Sequence, residues 1–392
     1  MSSSNVRRVP GVDWILLAAT LALLVLGTLL VWSATSARSE LTGSDPQLFL
    51  RKQLVNVGLG LVLMMLVMAT DHRWVRLLAP VAYVASIGGL VMVLVSGSTI
   101  NGSRSWLQFG SMSLQPSEFA KLAVVIGMSL VLAERAEGKR RHRVNWLDVG
   151  LMLMIAGLPA VLILLQPDLG TMLVLTATVF GVLAASGAPR RWLALVLGAG
   201  VTAAVAAVAG GFLKQYQVDR FLAFTNPGLD PRGAGYNTEQ ARIAVGNGGL
   251  FGQGLFHGTQ TRAGFVPEQH TDFIFTVAGE ELGLVGAAVL IALLCVVVWR
   301  ALVIAGRSDD LFGRVAAAGI ACWLGFQAFQ NIGMCLGIMP VTGVPLPLVS
   351  YGGTAIFASL LGIGLLQNIH LRTAGAVPAR YLAVERATVR VH

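Results

Sequence analysis

The stretch Gly264-Phe265-Val266-Pro267-Glu268-Gln269-His270-Thr271-Asp272-Phe273-Ile274-Phe275-Thr276-Val277-Ala278-Gly279-Glu280-Glu281-Leu282-Gly283 carries a long polar loop into a strongly apolar helix. Glu268, His270, Asp272, Glu280 and Glu281 all fall at this junction. Ionisable groups at the edge of a bilayer are costly to keep dry, so they either reach water or do chemistry. The apolar run that opens here continues to residue 305, longer than the about 20 residues that cross a bilayer. Its first turns are therefore expected to project beyond the hydrocarbon or to lie against the loop. Asp272 reads as the working carboxylate of a membrane enzyme.

The rest of the chain supports that setting. Of 392 residues, 55% are hydrophobic and 12% charged, against about a quarter charged in an ordinary soluble domain. Apolar runs at 12–35, 53–70, 74–96, 117–134, 146–165, 171–187, 192–213, 272–305, 315–339 and 353–371 predict an all-α polytopic membrane protein. The expected fold has ten transmembrane helices, in one domain over 1–392, with a long extracytoplasmic loop at 214–271 between helices 7 and 8 and a cytoplasmic tail at 373–392. The net charge of +9 does not point to nucleic acid, because the basic residues sit in short loops between apolar runs. Arg7, Arg8, Arg73, Arg76, Arg135, Lys139, Arg140, Arg141, Arg143, Arg190, Arg191, Arg300, Arg307 and Arg314 fall on one side, which the positive-inside rule makes cytoplasmic, with both termini. Cys295, Cys322 and Cys335 lie in apolar runs and read as core residues without a disulfide. No cleavable signal, soluble domain, low-complexity tract or half-to-half repeat is evident.

The loop 214–271 is too long for a plain connection and too aromatic for disorder, carrying Tyr216, Phe221, Phe224, Tyr236, Phe251, Phe256 and Phe265. Asn237–Val245 is predicted helical, with Gln240, Ile243 and Ala244 on one face and an interfacial position. The bland alternative is a plug over the bundle.

Several further positions could carry chemistry. Gln115-Pro116-Ser117-Glu118-Phe119-Ala120-Lys121 starts a helix on which Glu118 and Lys121 share a face; a structural ion pair is an equally good reading. Arg104 and Trp106 place a cation and an indole in the preceding outer loop, where a Trp also serves as a membrane anchor. Asp168, in Gln166-Pro167-Asp168, reads as a helix cap or packing residue before a possible cation ligand. Gln327, Gln330 and Asn331 are expected to hydrogen-bond between helices. The stretch 340–354, with three prolines and no charge, cannot be helical throughout and is expected to form a re-entrant wall of an outer cavity. If Thr271 caps the following helix, Asp272 sits in its first turn and stacks with Thr276 and Glu280. The helix dipole then lowers its pKa, so a useful base needs burial or the neighbouring Glu268 to raise it. On spacing alone a solvated cap remains an even alternative.

Together these stretches resemble the SEDS family of bacterial cell-wall proteins over all ten spans. The motifs that carry the resemblance are 104–106, 115–121, 166–171, 233–236, 246–254, His270-Thr271-Asp272-Phe273-Ile274-Phe275, 279–283 and 347–353. Residues 258–260, 265–269, 331–334 and 344–349 are more similar to its elongation member than to its division member. The resemblance implies a peptidoglycan glycosyltransferase that polymerises lipid II at the outer face of the bacterial plasma membrane, working with a class B penicillin-binding protein. It also implies a catalytic role for Asp272, and needed or substrate-facing roles for Trp106, Glu118 and Lys121. Ser105 and Val218-Asp219 depart from the family pattern of basic residues there.

On this reading Asp272 takes the proton of an acceptor hydroxyl, and loop cations neutralise the diphosphate leaving group. Candidate substrate-binding residues are Arg104, Trp106, Glu118, Lys121, Arg220, Arg242, Arg262, His270 and Ser350, with Lys214 and Arg232 in the same loop. A divalent cation (Mg or Mn) is a candidate cofactor with unassigned ligands, and no organic cofactor is expected. The rival readings are a lipid II flippase, the division member of the same family, and a non-catalytic scaffold.

Overall fold

Helices stand at all ten places marked by the apolar runs. The computed structural model describes residues 11–43, 45–100, 103–109, 112–137, 143–211, 218, 220, 224 and 233–373. In chain order these form α1 (Trp14–Ser36), α2 (Ser39–Thr42), α3 (Leu48–Ala69), α4 (His72–Ser96), β1 (Ser98–Ile100), β2 (Ser103–Phe109), β3 (Met112–Leu114), α5 (Pro116–Ala136), α6 (Trp146–Leu165), α7 (Leu169–Ala185) and α8 (Arg190–Ala209). They continue as α9 (Ala234–Asn247), α10 (Thr259–Ala263), α11 (Ile274–Arg307), α12 (Leu311–Cys335) and α13 (Gly353–Thr373). Among the described residues, eight helices are long and apolar enough to cross a membrane: α1, α3 to α6 and α11 to α13. The apolar α7 is shorter, at 17 residues. Lys214, Tyr216, Phe221, Arg232, the basic residues at 7, 8 and 139–141, and the tail beyond 373 lie outside the described residues.

The most buried helices are α5, α12 and α13. Around them, α11 packs on α1 and α12, α7 on α12, α3 on α13, and α4 on α5. Large apolar side chains of α3, α4, α6 and α8 point outwards, as lipid-facing surfaces require. Cys335 is buried as expected, but Cys295 is exposed on α11 and is no core residue.

One end of the bundle is tied by ion pairs. Arg76 meets Asp310 at 2.8 Å, Arg300 meets Asp13 at 2.5 Å, Arg372 meets Asp71 at 3.3 Å, and Arg135 pairs with the buried Asp148. The opposite end is built of loops, short strands and helix breaks. There β1, β2 and β3 form an antiparallel three-stranded sheet in sequential order, where only an outer loop was expected. In β2 Ser105 and Leu107 are buried while Arg104 and Gln108 face out, the period of two of a strand.

The over-long eighth apolar run resolves as the sequence predicts. Gly283, at φ 68° and ψ −167°, breaks α11 into a short first helix under the loop and a long spanning one. The loop pairs the backbone groups that the break exposes. Gln253 and Gly254 donate to the carbonyls of Glu280 and Glu281, both at 3.0 Å. In return Leu284 and Val285 donate to the carbonyls of Gly249 (2.9 Å) and Leu250 (3.1 Å). A Cβ on Gly283 would lie 2.2 Å from the Gly252 nitrogen, so the crossing requires glycine.

The loop helix α9 also forms as predicted, but it buries a different face. Thr238, Ala241 and Ala244 are buried and Ile243 is exposed, because Val245 packs directly on Gly279 of α11. The buried face of α9 therefore rests on protein.

Candidate active site

The loop end of the bundle encloses a cavity of about 340 Å³. Trp106 and Ser113 of the sheet form one wall, with Gln115 just before α5. Pro167, Asp168 and Leu169 of the α6–α7 turn form the second, and Arg220, Glu268, Thr271 and Asp272 the third. Thr342, Gly343, Pro345, Tyr351, Gly352 and Thr354 complete it. The proline-rich stretch is thus the re-entrant wall that its composition predicted.

Asp272 does not lie in the first turn of a helix. The helix starts at Ile274, its N-cap is Phe273, and no side chain caps it. Glu268 adopts φ 47°, and its carbonyl accepts from the backbone of Thr271 (3.2 Å), Asp272 (3.0 Å) and Phe273 (3.3 Å). The Thr271 hydroxyl turns back to the same carbonyl at 3.1 Å instead of capping α11. This turn separates Asp272 from Thr276 and Glu280, which point under the loop. There Glu280 accepts from the backbone of Gln260 (2.7 Å) and Thr261 (2.9 Å), and Gln269 donates to Thr276 at 3.1 Å. The predicted stack of Asp272 with those two residues is not formed, because the turn removes it from the helical register.

The electrostatics follow from that placement. Burial first, then the Glu268 carboxylate, push the half-buried Asp272 up to about 7; Arg220 pulls the other way and Asp168 adds to the rise. A carboxylate poised near neutrality can accept a proton during reaction and release it afterwards. Beside it Gly343, at φ 69°, leaves room: a Cβ there would lie 3.2 Å from Asp272 Oδ2.

The buried amides of α12 hold this wall in place. Asn331 Nδ2 donates to the carbonyls of Asp272 and Val344, both at 2.7 Å. Gln330 donates to Thr342 Oγ1 at 2.7 Å, and Gln327 to the Pro345 carbonyl at 3.0 Å. Sequence reasoning assigned these three to contacts between helices, and Gln327 makes one, accepting from Lys121 of α5 at 2.7 Å; all three also hold the irregular segments next to the carboxylate. Asp168 caps α7 through Thr171 N (2.9 Å) and Oγ1 (2.8 Å), as predicted, and accepts from Gln115 at 3.2 Å on the cavity wall.

The other candidates divide clearly. Asp272, Trp106 and Arg220 line the cavity. Glu118 and Lys121 do not: they form a fully buried pair at 2.7 Å within α5. Lys121 also donates to Gln327 Oε1 at 2.7 Å, so the pair reaches the cavity wall only through that amide. Arg104 turns to the end of α4, donating to the carbonyls of Gly97 (2.8 Å) and Val95 (2.9 Å). Arg242 lies 4.0 Å from Glu239 on α9, and Arg262 is exposed on α10. His270 packs its ring on Phe49 (5.1 Å) and Tyr351 (5.6 Å) behind the wall. Burial and then Arg38 push it down to about 4, so it is neutral. Ser350 Oγ accepts from Leu346 N at 2.8 Å and closes the re-entrant turn. Thr342, Tyr351 and Thr354 belong to the stretch expected to wall the cavity, though the sequence did not single them out; Gln115, read only as part of a helix start, was missed as a lining residue.

Among the described residues no group of three or more His, Cys, Asp or Glu side chains comes together as a metal-binding set. Asp168, Glu268 and Asp272 line the cavity without forming such a set.

A polytopic helical protein with a near-neutral carboxylate, a cation and an indole around a polar cavity at one end of its bundle has the parts of a membrane-embedded enzyme. The chain belongs to the FtsW/RodA/SpoVE family of cell cycle proteins, whose profile matches residues 14–374. It is 39% identical over 359 residues to the peptidoglycan glycosyltransferase MrdB of Escherichia coli, covering 91% of this chain and 93% of that one. It is 37% identical over 376 residues to the probable peptidoglycan glycosyltransferase FtsW of Halothiobacillus neapolitanus, covering 92% and 87%. Among solved structures, it is similar to a chain of a peptidoglycan synthase complex studied for its coordination of polymerization and crosslinking (TM-score 0.76, 35% identity, 93% of this chain and 98% of that one). It is also similar to the rod shape determining protein RodA of Thermus thermophilus (TM-score 0.66, 33% identity, 92% and 97%).

Proposed function

We propose that this chain is a peptidoglycan glycosyltransferase that polymerises lipid II at the outer face of the bacterial plasma membrane during cell elongation. The observation that carries the reading is Asp272, held near neutrality in a polar cavity beside Arg220. An acceptor sugar hydroxyl attacks the anomeric carbon of a glycan on polyprenyl diphosphate. The new glycosidic C–O bond forms as the bond to the diphosphate oxygen breaks. Asp272 takes the hydroxyl proton, and the diphosphate leaves as an anion beside Arg220. Trp106 offers an indole face to the sugar.

The basic ion-paired end, opposite the cavity, supports a cytoplasmic side that holds both termini. With α7 and α8 added to the eight apolar spans, the count is ten. The 331–334 and 344–349 motifs support a RodA-like over an FtsW-like role. A class B penicillin-binding protein is the proposed partner, as suits the likeness to a chain of a synthase complex.

Purified protein in detergent with labelled lipid II tests the activity. Glycan polymer is expected from wild type and none from Asp272→Asn with its fold intact. Polymer from that variant at the wild-type rate removes the assignment. The cavity's place at one end, away from the midplane site expected of a transporter, favours an enzyme over a flippase.

A further inference from the structure

A second, more open cavity of about 530 Å³ lies at the same end of the bundle. Its lining includes Trp32 and Ser36 at the end of α1, Asp45, Gln47 and Arg51 around the start of α3, and Phe256 of the loop. None of these residues lines the Asp272 cavity.

The site is built rather than incidental. Phe256 sits at φ 65°, a conformation that an L residue adopts only when its surroundings impose it. Its N–H donates to Ser33 Oγ at 3.1 Å, and Ser33 in turn donates to Glu281 at 2.7 Å. That buried chain sets the ring edge-on against Trp32, with centroids 4.8 Å apart and planes at 74°. The same cavity is lined by a polar edge. Arg51 lies 3.3 Å from Asp45, and its guanidinium approaches Gln47 Oε1 at 3.5 Å. Apolar ring faces beside guanidinium, carboxylate, amide and hydroxyl groups suit a ligand with C–H faces and many hydroxyl or amide groups. A saccharide is such a ligand.

The two cavities share a partition. Gln47 and Arg51 face the second one, whereas Phe49, between them, turns to His270 (5.1 Å) and Tyr351 (5.0 Å). Tyr351 lines the Asp272 cavity. A glycan leaving the reaction cavity over this edge meets Trp32 and Phe256 next. Resting on the polymerase reading above, we propose that the Trp32–Phe256–Arg51 cavity is a saccharide subsite that holds the growing strand between additions. Retention there makes the next coupling effectively intramolecular and lengthens the product.

The test compares wild type with Trp32→Leu and Arg51→Ala, using two readouts. The first is product length and rate of lipid II consumption. The variants are expected to shorten the glycan at least about threefold while consumption changes less than about twofold. The second is binding of a β-1,4-linked N-acetylglucosamine tetrasaccharide to each protein without lipid II. Wild type is expected to bind it, Trp32→Leu to lose it, and Trp32→Phe to restore both binding and length. Unchanged lengths with equal binding, or no binding to wild type, overturn the subsite. Unchanged length with a raised KM for lipid II also overturns it, by assigning the cavity to the incoming lipid-linked sugar. Absence of polymer from wild type overturns the functional reading and the strand-holding role with it. In that case, tetrasaccharide binding lost in Trp32→Leu still supports a saccharide site, and no binding removes that too.

Discussion

Replacing Asp272 with asparagine tests both the chemistry and its thermodynamic cost. In the native protein the carboxyl keeps its proton up to about 7, whereas the unfolded chain releases it near 3.8. Between those values the native state binds more protons, so stability falls as pH rises and is level above them. The full displacement corresponds to about 4 kcal/mol. Water reaches the half-buried side chain, and that screening reduces it to about 2 kcal/mol. Asparagine cannot ionise. Its advantage over wild type should therefore be nil near pH 4 and grow to about 2 kcal/mol by about pH 8, or roughly 2–4 °C in melting midpoint. Unfolding midpoints of both proteins across that pH range measure it. In the polymerisation assay the wild-type rate should rise through about pH 7 as the base deprotonates, and the variant should lose about 10²–10⁴-fold. A stability gap that does not grow with pH refutes the environment assigned to Asp272. A variant with the wild-type pH–rate profile refutes its role as base.

Four further outcomes follow from the geometry. Asn331→Leu strands the carbonyls of Asp272 and Val344 at about 1–3 kcal/mol each, and steady-state kinetics should show kcat falling more than KM rises. Lys121→Met leaves Glu118 buried without its cation and should destabilise the protein by about 3–5 kcal/mol; adding Glu118→Gln should recover much of this in a double-mutant cycle. Gly343→Ala strains a φ of 69° and crowds Asp272 Oδ2; it should cost about 1–2 kcal/mol in the unfolding midpoint and lower the turnover measured with lipid II. His270 is held neutral down to about 4, so acidification below its ordinary 6.5 should destabilise wild type until about pH 4, and His270→Phe should flatten that limb of the melting curve.

Much of the fold was legible because a bilayer imposes long apolar helices whatever their neighbours. The eighth run even betrayed its break by length, and the proline-rich 340–354 stretch betrayed its irregular path. The short sheet at 98–114 was not read, since β2 is only seven residues long and opens with three polar ones, Ser103-Arg104-Ser105, leaving no apolar alternation to recognise. Asp272 was legible as a chemical group but not as a geometry. Its expected helical first turn is displaced by the Glu268 turn, which depends on contacts with residues far along the chain.

The candidate site shows the same division among its charges. Sequence spacing paired Glu118 with Lys121 correctly, because three residues along a helix always bring side chains together. It could not tell that this pair is sealed inside the bundle while Arg220 reaches the cavity, or that Arg104 turns to the carbonyls of α4. By itself the sequence determined the membrane setting and the helix positions, which follow from local composition and periodicity; it marked Asp272 as the candidate carboxylate through the family resemblance of its motif, spacing alone leaving a solvated cap as an even alternative. Only the tertiary structure decided which cation, amide and carboxylate meet around Asp272, because burial and charge proximity arise from segments tens to hundreds of residues apart.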